Sequence, residues 1–215
     1  MKIIAVNGSP RESWNTGTLL KAALKYAEEQ GHETEFVQLS GLNYRGCRSC
    51  LACKLDKEPW TTSAECAVKD ELTPVMDKIK AADIFLVGSP IYYGSLSADT
   101  YGFFERLWFS ASRYDAEHPS KLNKRIPNGL IVTMNVTRTE NYKPMLENIL
   151  LCQKLIGPSK LLAVGDTCQF DNYDNYVCRV FDGAHKETRK ITEDSEDYCR
   201  ARQFMQELID LKESR

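Results

Sequence analysis

Long hydrophobic runs are absent from this 215-residue sequence; none approaches the roughly 20 apolar residues of a membrane span. The apolar stretch from Ile3 to Val6 is too short for the core of a signal peptide. Both absences predict a cytoplasmic protein with no membrane partner. A basic surplus is missing too: 28 Lys and Arg face 30 Asp and Glu, for a formal net charge of −2. Neutralising phosphates needs excess positive charge, which argues against nucleic acid as the main partner. Histidine is scarce, and His32, His118 and His185 stand alone, so each reads as a surface residue. There is no internal repeat and no low-complexity segment. The loop after the first apolar run has neither G-x-G-x-x-G nor G-x-x-x-x-G-K-[ST] spacing. A dinucleotide-binding unit and a P-loop are therefore disfavoured.

What is present is ordinary for one globular domain: 42% hydrophobic and 27% charged residues. Apolar runs alternate with helical patterns along the whole chain. Lys2–Asn7, Glu33–Leu39, Asp83–Gly88, Gly129–Met134 and Ser159–Val164 read as strands. Thr18–Gln30, Glu71–Ala82, Ser97–Phe109, Met145–Ile156 and Asp194–Leu211 read as helices. Strands that are apolar throughout, separated by helices, predict a parallel α/β sheet covered on both faces, in a single domain over 1–215. Two connections are too long for simple loops: about 40–70 and about 166–193.

Ligands of such sheets sit beyond the carboxyl ends of the strands. The first strand leads there into Gly8-Ser9-Pro10-Arg11-Glu12-Ser13-Trp14-Asn15-Thr16. Ser9, Ser13 and Thr16 offer hydroxyls, Asn15 an amide and Arg11 a guanidinium, just before a helix N-terminus that favours an anion. Two readings stay open for the polar side chains: phosphate ligands, or caps for the helix. The third strand leads into Ser89-Pro90-Ile91-Tyr92-Tyr93-Gly94-Ser95. Pro90 stiffens this loop and Gly94 permits a positive φ. The tyrosines offer flat faces with polar tips, which suit a planar heterocycle or packing at a strand end.

Taken in order, GSPRESWNT and SPIYYGSLS resemble the NADPH-dependent FMN reductase family, over roughly residues 1–165. The resemblance implies a flavodoxin-like, doubly wound, five-stranded parallel sheet of order 2-1-3-4-5 with helices on both faces. It implies FMN, its phosphate held by Ser9, Arg11, Ser13, Asn15 and Thr16. The flavin ring would lie on Pro90, Ile91, Tyr92, Tyr93, Gly94 and Ser95. The loop after the fourth strand, starting at Asn135, would close over the ring.

Eight cysteines in a cytoplasmic chain point to metal or redox chemistry rather than structural disulfides. Cys47, Cys50 and Cys53 form a C-x2-C-x2-C run, and Cys66 follows after twelve residues. Three thiolates at this spacing can wrap a compact cluster, and a fourth completes all-thiolate ligation. This loop resembles the iron–sulfur flavoprotein branch of the same family, which implies a [4Fe-4S] cluster. The segment from Leu55 to Glu65, with Pro59 and Trp60, looks like an insertion relative to that branch. Three readings therefore stay open: a cluster, another metal, or four reduced thiols in a loop covering the flavin.

The family implies hydride transfer from NAD(P)H to the flavin, then delivery to a quinone, a free flavin or a similar small acceptor. Backbone N–H groups can stabilise the reduced ring, so no catalytic side chain is assigned. The alternative is an electron-transferring iron–sulfur flavoprotein whose partner is a protein carrier such as ferredoxin. The third helix carries Tyr101, Phe103, Phe104, Leu107, Trp108 and Phe109, more aromatic surface than one face buries. That excess predicts a homodimer or homotetramer.

Overall fold

The computed structural model describes residues 1–214. In chain order the elements are β1 (Lys2–Asn7), α1 (Asn15–Glu29), β2 (Glu33–Gln38), α2 (Leu72–Ala81), β3 (Ile84–Tyr92) and β4 (Ser95–Leu96). They continue with α3 (Ala98–Ala111), β5 (Asn128–Thr133), α4 (Lys143–Gln153), β6 (Ser159–Val164), α5 (Gly183–Thr188) and α6 (Glu196–Glu213). The sheet order is β2-β1-β3-β5-β6, all parallel, with β4 paired antiparallel to β3. Counting the parallel strands alone, this is the expected 2-1-3-4-5 arrangement.

Side chains alternate across the strands with period two, and each face buries its own core. Ile4, Val6, Phe85, Val87, Leu130 and Val132 point to the side covered by α2, α3 and α4. Ile3, Ala5, Ile84, Leu86, Ile131 and Val164 point to the side covered by α1 and α6. Fully burying each of the larger aliphatic side chains contributes about 1.5–3 kcal/mol, which is why these apolar strands fix the fold. Close packing is visible at Gly129, where a Cβ would lie 2.6 Å from the Phe204 ring on α6.

Two expectations change. The segment after the third strand is not an open loop: β3 continues through Pro90 to Tyr92, and the chain returns as β4. Tyr92 pairs with Ser95, leaving a two-residue turn of Tyr93 (φ 47°) and Gly94 (φ 83°). Positive φ at both central residues is the turn that matches strand twist. Gly94 adopts it freely, whereas Tyr93 does so at a cost. The aromatic surplus of α3 is also smaller than expected. Phe103, Phe104 and Leu107 are buried within the chain, and Trp108 stacks on Phe104 at a centroid distance of 4.4 Å. Part of the remaining surface of α3 is covered by the chain's own cysteine-bearing segment.

That segment docks through close backbone approach. A Cβ on Gly46 would sit 3.3 Å from the Gly102 Cα on α3. The Tyr44 hydroxyl donates to the Asp99 carbonyl at 2.6 Å. Lys54 Nζ donates to the carbonyls of Phe109 and Ser112, each at 2.6 Å, closing the C-terminal end of α3. Lys121 Nζ donates to the carbonyls of Cys53 and Trp60. Burial pulls both ammonium groups below the ordinary lysine range. The segment therefore has protein anchors of its own.

Candidate functional site

A cleft of about 520 Å³ opens at the carboxyl ends of β1, β3 and β5. Ser9, Arg11, Asn15 and Thr16 line one part of it, and Pro90, Ile91, Tyr92 and Tyr93 another. Asn135 lines it from the loop after β5. Thus nine of the twelve expected non-metal site residues meet in one cavity. Ser13 does not: it lines a separate depression with Thr18, Lys21 and Phe36. The turn between Arg11 and Trp14, closed by Trp14 N–H donating to the Arg11 carbonyl at 3.3 Å, sends it there. Gly94 and Ser95 are also outside the lining, because the hairpin carries the chain past the cleft rim.

The competing reading of the first loop, that its hydroxyls cap α1, does not hold. Trp14 occupies the cap position, and no side chain caps this helix. By contrast, Ser97 caps α3 by accepting from Thr100 N–H, and Ser195 caps α6 by accepting from Tyr198 N–H. The first turn of α1 thus keeps N–H groups free of side-chain acceptors, as an anion site requires. Not every polar group there is free. Thr16 Oγ1 is hydrogen-bonded to Thr133 Oγ1 at 2.7 Å, and Asn15 Nδ2 donates to the Cys168 carbonyl at 2.7 Å. Ser9 Oγ accepts from Arg11 N–H at 3.2 Å, shaping the turn. Arg11 lies 4.8 Å from the centre of the Trp14 ring and donates to the Gln169 carbonyl at 2.7 Å.

Gly17 holds the loop against the helix. A Cβ there would meet the Glu12 carbonyl oxygen at 1.8 Å, and that partner is backbone. Gly17→Ala is expected to lower stability by about 1–3 kcal/mol, the range for overpacking, seen as a lower denaturation midpoint with an unchanged slope.

Residues beyond β6 complete the cleft and were not anticipated. Thr167, Gln169, Phe170 and Tyr176 all line it. Phe170 and Tyr176 stack at 4.1 Å, and Tyr173 is edge-on to Phe170. Ion pairs tie this segment down. Lys186 is nearly fully buried and donates to Asp166 Oδ1 and to the Asn135 carbonyl, each at 2.5 Å. His185 Nε2 lies 2.7 Å from Asp166 Oδ2. Burial alone would push the Asp166 carboxyl up, but Lys186 and His185 hold it below the usual carboxylate range. Buried Asp197 binds Arg189 and Arg200, each at 2.8 Å.

Does this cleft fit FMN? Asn135 carries a direct indication. Its Nδ2 donates to Gln169 Oε1 at 2.7 Å, while its buried Oδ1 has no partner. A buried acceptor without a donor is costly, and an N–H of a bound heterocycle would satisfy it. An uncapped helix N-terminus, a guanidinium, aromatic faces and an unpartnered acceptor together fit a phosphorylated heterocycle.

The cysteines converge as well. Cys47, Cys50, Cys53 and Cys66 line one pocket, so the segment from Leu55 to Glu65 loops out without displacing Cys66. Leu51, Val68 and Phe109 supply apolar wall. Ser49 (φ 53°) and Leu51 (φ 59°) are left-handed on either side of Cys50, which folds the triplet around the pocket. Ser49 N–H donates to Cys47 Sγ at 3.4 Å, and Glu105 Oε2 accepts from Cys47 N–H at 3.0 Å. Burial pushes the Cys53 thiol up, while Lys54 and Lys121 pull it down. Among the described residues no three His, Cys, Asp or Glu side chains converge tightly enough for a single metal ion. A cubane binds each thiolate through a different iron, so its ligands need not converge on one ion. The donor set, four thiols lining one apolar-walled pocket, has the chemistry that such a cluster takes. The other cysteines lie elsewhere: Cys168 is buried under the cleft, and Cys152 is partly exposed.

The sequence model of NADPH-dependent FMN reductases matches residues 1–134. The chain belongs to the NADPH-dependent FMN reductase family. It is 37% identical over 98 residues to an iron-sulfur flavoprotein of Methanocaldococcus jannaschii, covering 46% of this chain and 47% of that one. It is 34% identical over 106 residues to an iron-sulfur flavoprotein of Methanosarcina thermophila, covering 49% and 52%. The chain spans about half the length of these curated relatives. An NAD(P)H:quinone oxidoreductase from Methanothermobacter marburgensis shares the fold, with a TM-score of 0.65, 15% identity and 97% of each chain covered. No helix among the described residues is long and apolar enough to cross a membrane.

Proposed function

We propose that this protein is an FMN-dependent oxidoreductase that takes electrons from NAD(P)H and passes them to a quinone, a flavin or a similar acceptor. The observation that carries this is the uncapped N-terminus of α1 opening on the same cleft as Tyr92, Tyr93 and the unpartnered Asn135 Oδ1. FMN supplies the chemistry when bound, accepting a hydride from a nicotinamide and releasing electrons in pairs or singly. Arg11 and the first turn of α1 hold the phosphate, and Ser9 shapes the turn that presents them. Pro90 to Tyr93 and Asn135 orient the ring. Phe170 and Tyr176 exclude water from one side of the cleft. The location we infer is the cytoplasm, where thiols stay reduced. Equilibrium titration tests the phosphate site: FMN is expected to bind at least tenfold more tightly than riboflavin, and equal affinities would sink it.

The pocket of four cysteines favours a second component, a [4Fe-4S] cluster held by Cys47, Cys50, Cys53 and Cys66. With it, single electrons can reach a protein carrier such as ferredoxin. The names of the curated relatives support this reading.

A homodimer or homotetramer is also proposed, on the cleft rim rather than on α3. Tyr92 and Tyr176 are about half exposed there, and Tyr93 is fully exposed. A second copy would cover them. Light scattering at micromolar concentration is expected to give twice or four times the chain mass, and a monomer would contradict this.

A further inference from the structure

One buried charge is left over by both sites. Arg106 on α3 has a side chain with no solvent exposure, and it lines the cysteine pocket. Its Nη1 donates to Asp70 Oδ2 at 2.5 Å and to the Arg45 carbonyl at 3.4 Å, and its Nη2 donates to the Val68 carbonyl at 2.8 Å. Its Nε–H is buried and makes no hydrogen bond of ordinary geometry, and the guanidinium lies within reach of the Cys66 thiol. An unmatched donor on a buried cation is unfavourable, so a role limited to bracing the segment leaves it unexplained. The other cations near the pocket are committed or solvated. Lys54 Nζ serves Phe109 and Ser112, and Lys121 Nζ serves two carbonyls. Arg48 is exposed to solvent.

We propose that Arg106 sets the reduction potential of the cluster held by Cys47, Cys50, Cys53 and Cys66, its Nε–H donating to a sulfur at the pocket wall. The inference rests on the reading that this pocket holds a [4Fe-4S] cluster. Reduction adds one electron, drawn from flavin reduced by NAD(P)H, with no bond made or broken at the cluster. The added negative charge lies beside a guanidinium in a water-poor pocket, where charge interactions are strong. Hydrogen bonds to sulfur, net charge and burial are the levers by which a protein sets such potentials. Arg106 acts through all three, and Asp70, which is mostly buried, offsets part of its charge. The pair therefore makes a tuned site in which the two residues have opposite effects. Arg106 is a tuning residue and not a thiolate ligand, so removing it shifts a potential rather than ending a reaction.

The test uses the full chain isolated without oxygen, with iron, acid-labile sulfide and FMN quantified per chain. Dye-mediated titrations then follow the cluster by electron paramagnetic resonance and the flavin by absorbance. Arg106→Gln is expected to lower the ratio of reduced to oxidised cluster about tenfold at fixed potential, equivalent to about 59 mV for a one-electron couple. The flavin couple should be unmoved. Asp70→Asn is nearly isosteric and leaves Arg106 with less counter-charge. It should shift the ratio several-fold the other way. Midpoints equal to wild type in both variants, with iron and sulfide retained, overturn the proposal. If Arg106→Gln loses its cluster, the sign of the Asp70→Asn shift decides alone: upward supports the proposal, and no shift or a downward one rejects it. Wild-type protein that carries FMN but takes up no iron or sulfide on reconstitution refutes the cluster itself. That result is distinct from an unmoved potential.

Discussion

Cys50→Ser is expected to remove iron and acid-labile sulfide from anaerobically isolated protein while leaving FMN bound at its normal ratio. Cys50 sits in the middle of the triplet, between the left-handed residues Ser49 and Leu51, and its side chain is exposed except toward the pocket. It contributes nothing to either core, so serine there costs little packing. The oxygen is a poor replacement for a thiolate at a soft-metal site. The surrounding segment should stay in place, because Gly46 against Gly102, Tyr44 on Asp99 and the Lys54 and Lys121 bonds hold it independently. Nicotinamide-driven flavin reduction should survive, and electron delivery to a protein carrier should stop. Elemental analysis and absorbance spectra check the first part, and carrier-coupled assays the second. Retention of iron by the variant would remove Cys50 from the ligand set.

Arg11→Ala should weaken FMN by about 1.5 kcal/mol, close to tenfold, while riboflavin affinity stays the same. The value lies at the low end for a charge-assisted hydrogen bond because the Arg11 side chain is exposed, and solvent screens exposed charges. Arg11 also tethers the Gln169 carbonyl and sits against Trp14, so the variant tests two roles. Loosening of the 166–193 segment would weaken both ligands equally. Loss of a phosphate contact would weaken FMN alone. Isothermal titration with the two flavins separates these outcomes.

The parallel core was legible because strands buried on both faces must be apolar throughout. Runs such as Ile3–Val6 and Ile84–Val87 are fully buried. The first loop was legible because Gly8 and the polar residues after it stand out between an apolar strand and a helix. The hairpin at Tyr93–Gly94 was not, because a bulky tyrosine occupies a left-handed position usually filled by Asn, Asp or Gly. Phe170 and Tyr176 were missed for a different reason: they lie in a segment without periodicity, so nothing assigns them a direction. The isolated short 3-10 turn at Tyr173–Asn175 gives no pattern to read. Arg106 did leave a signal. It falls three residues from Phe103 and four from Ser110, on the buried face of α3, so it is a charge on an apolar stripe. Such a residue needs a buried partner or a ligand, and that rule would have singled it out.

The central claim is tested most directly by mixing FMN-loaded protein with NADH and with NADPH in the absence of oxygen while recording the flavin absorption band. The account predicts that at least one nicotinamide bleaches the band stoichiometrically and that a quinone then restores it. Protein that binds FMN tightly, resists both nicotinamides and is reduced only by a protein donor would contradict it.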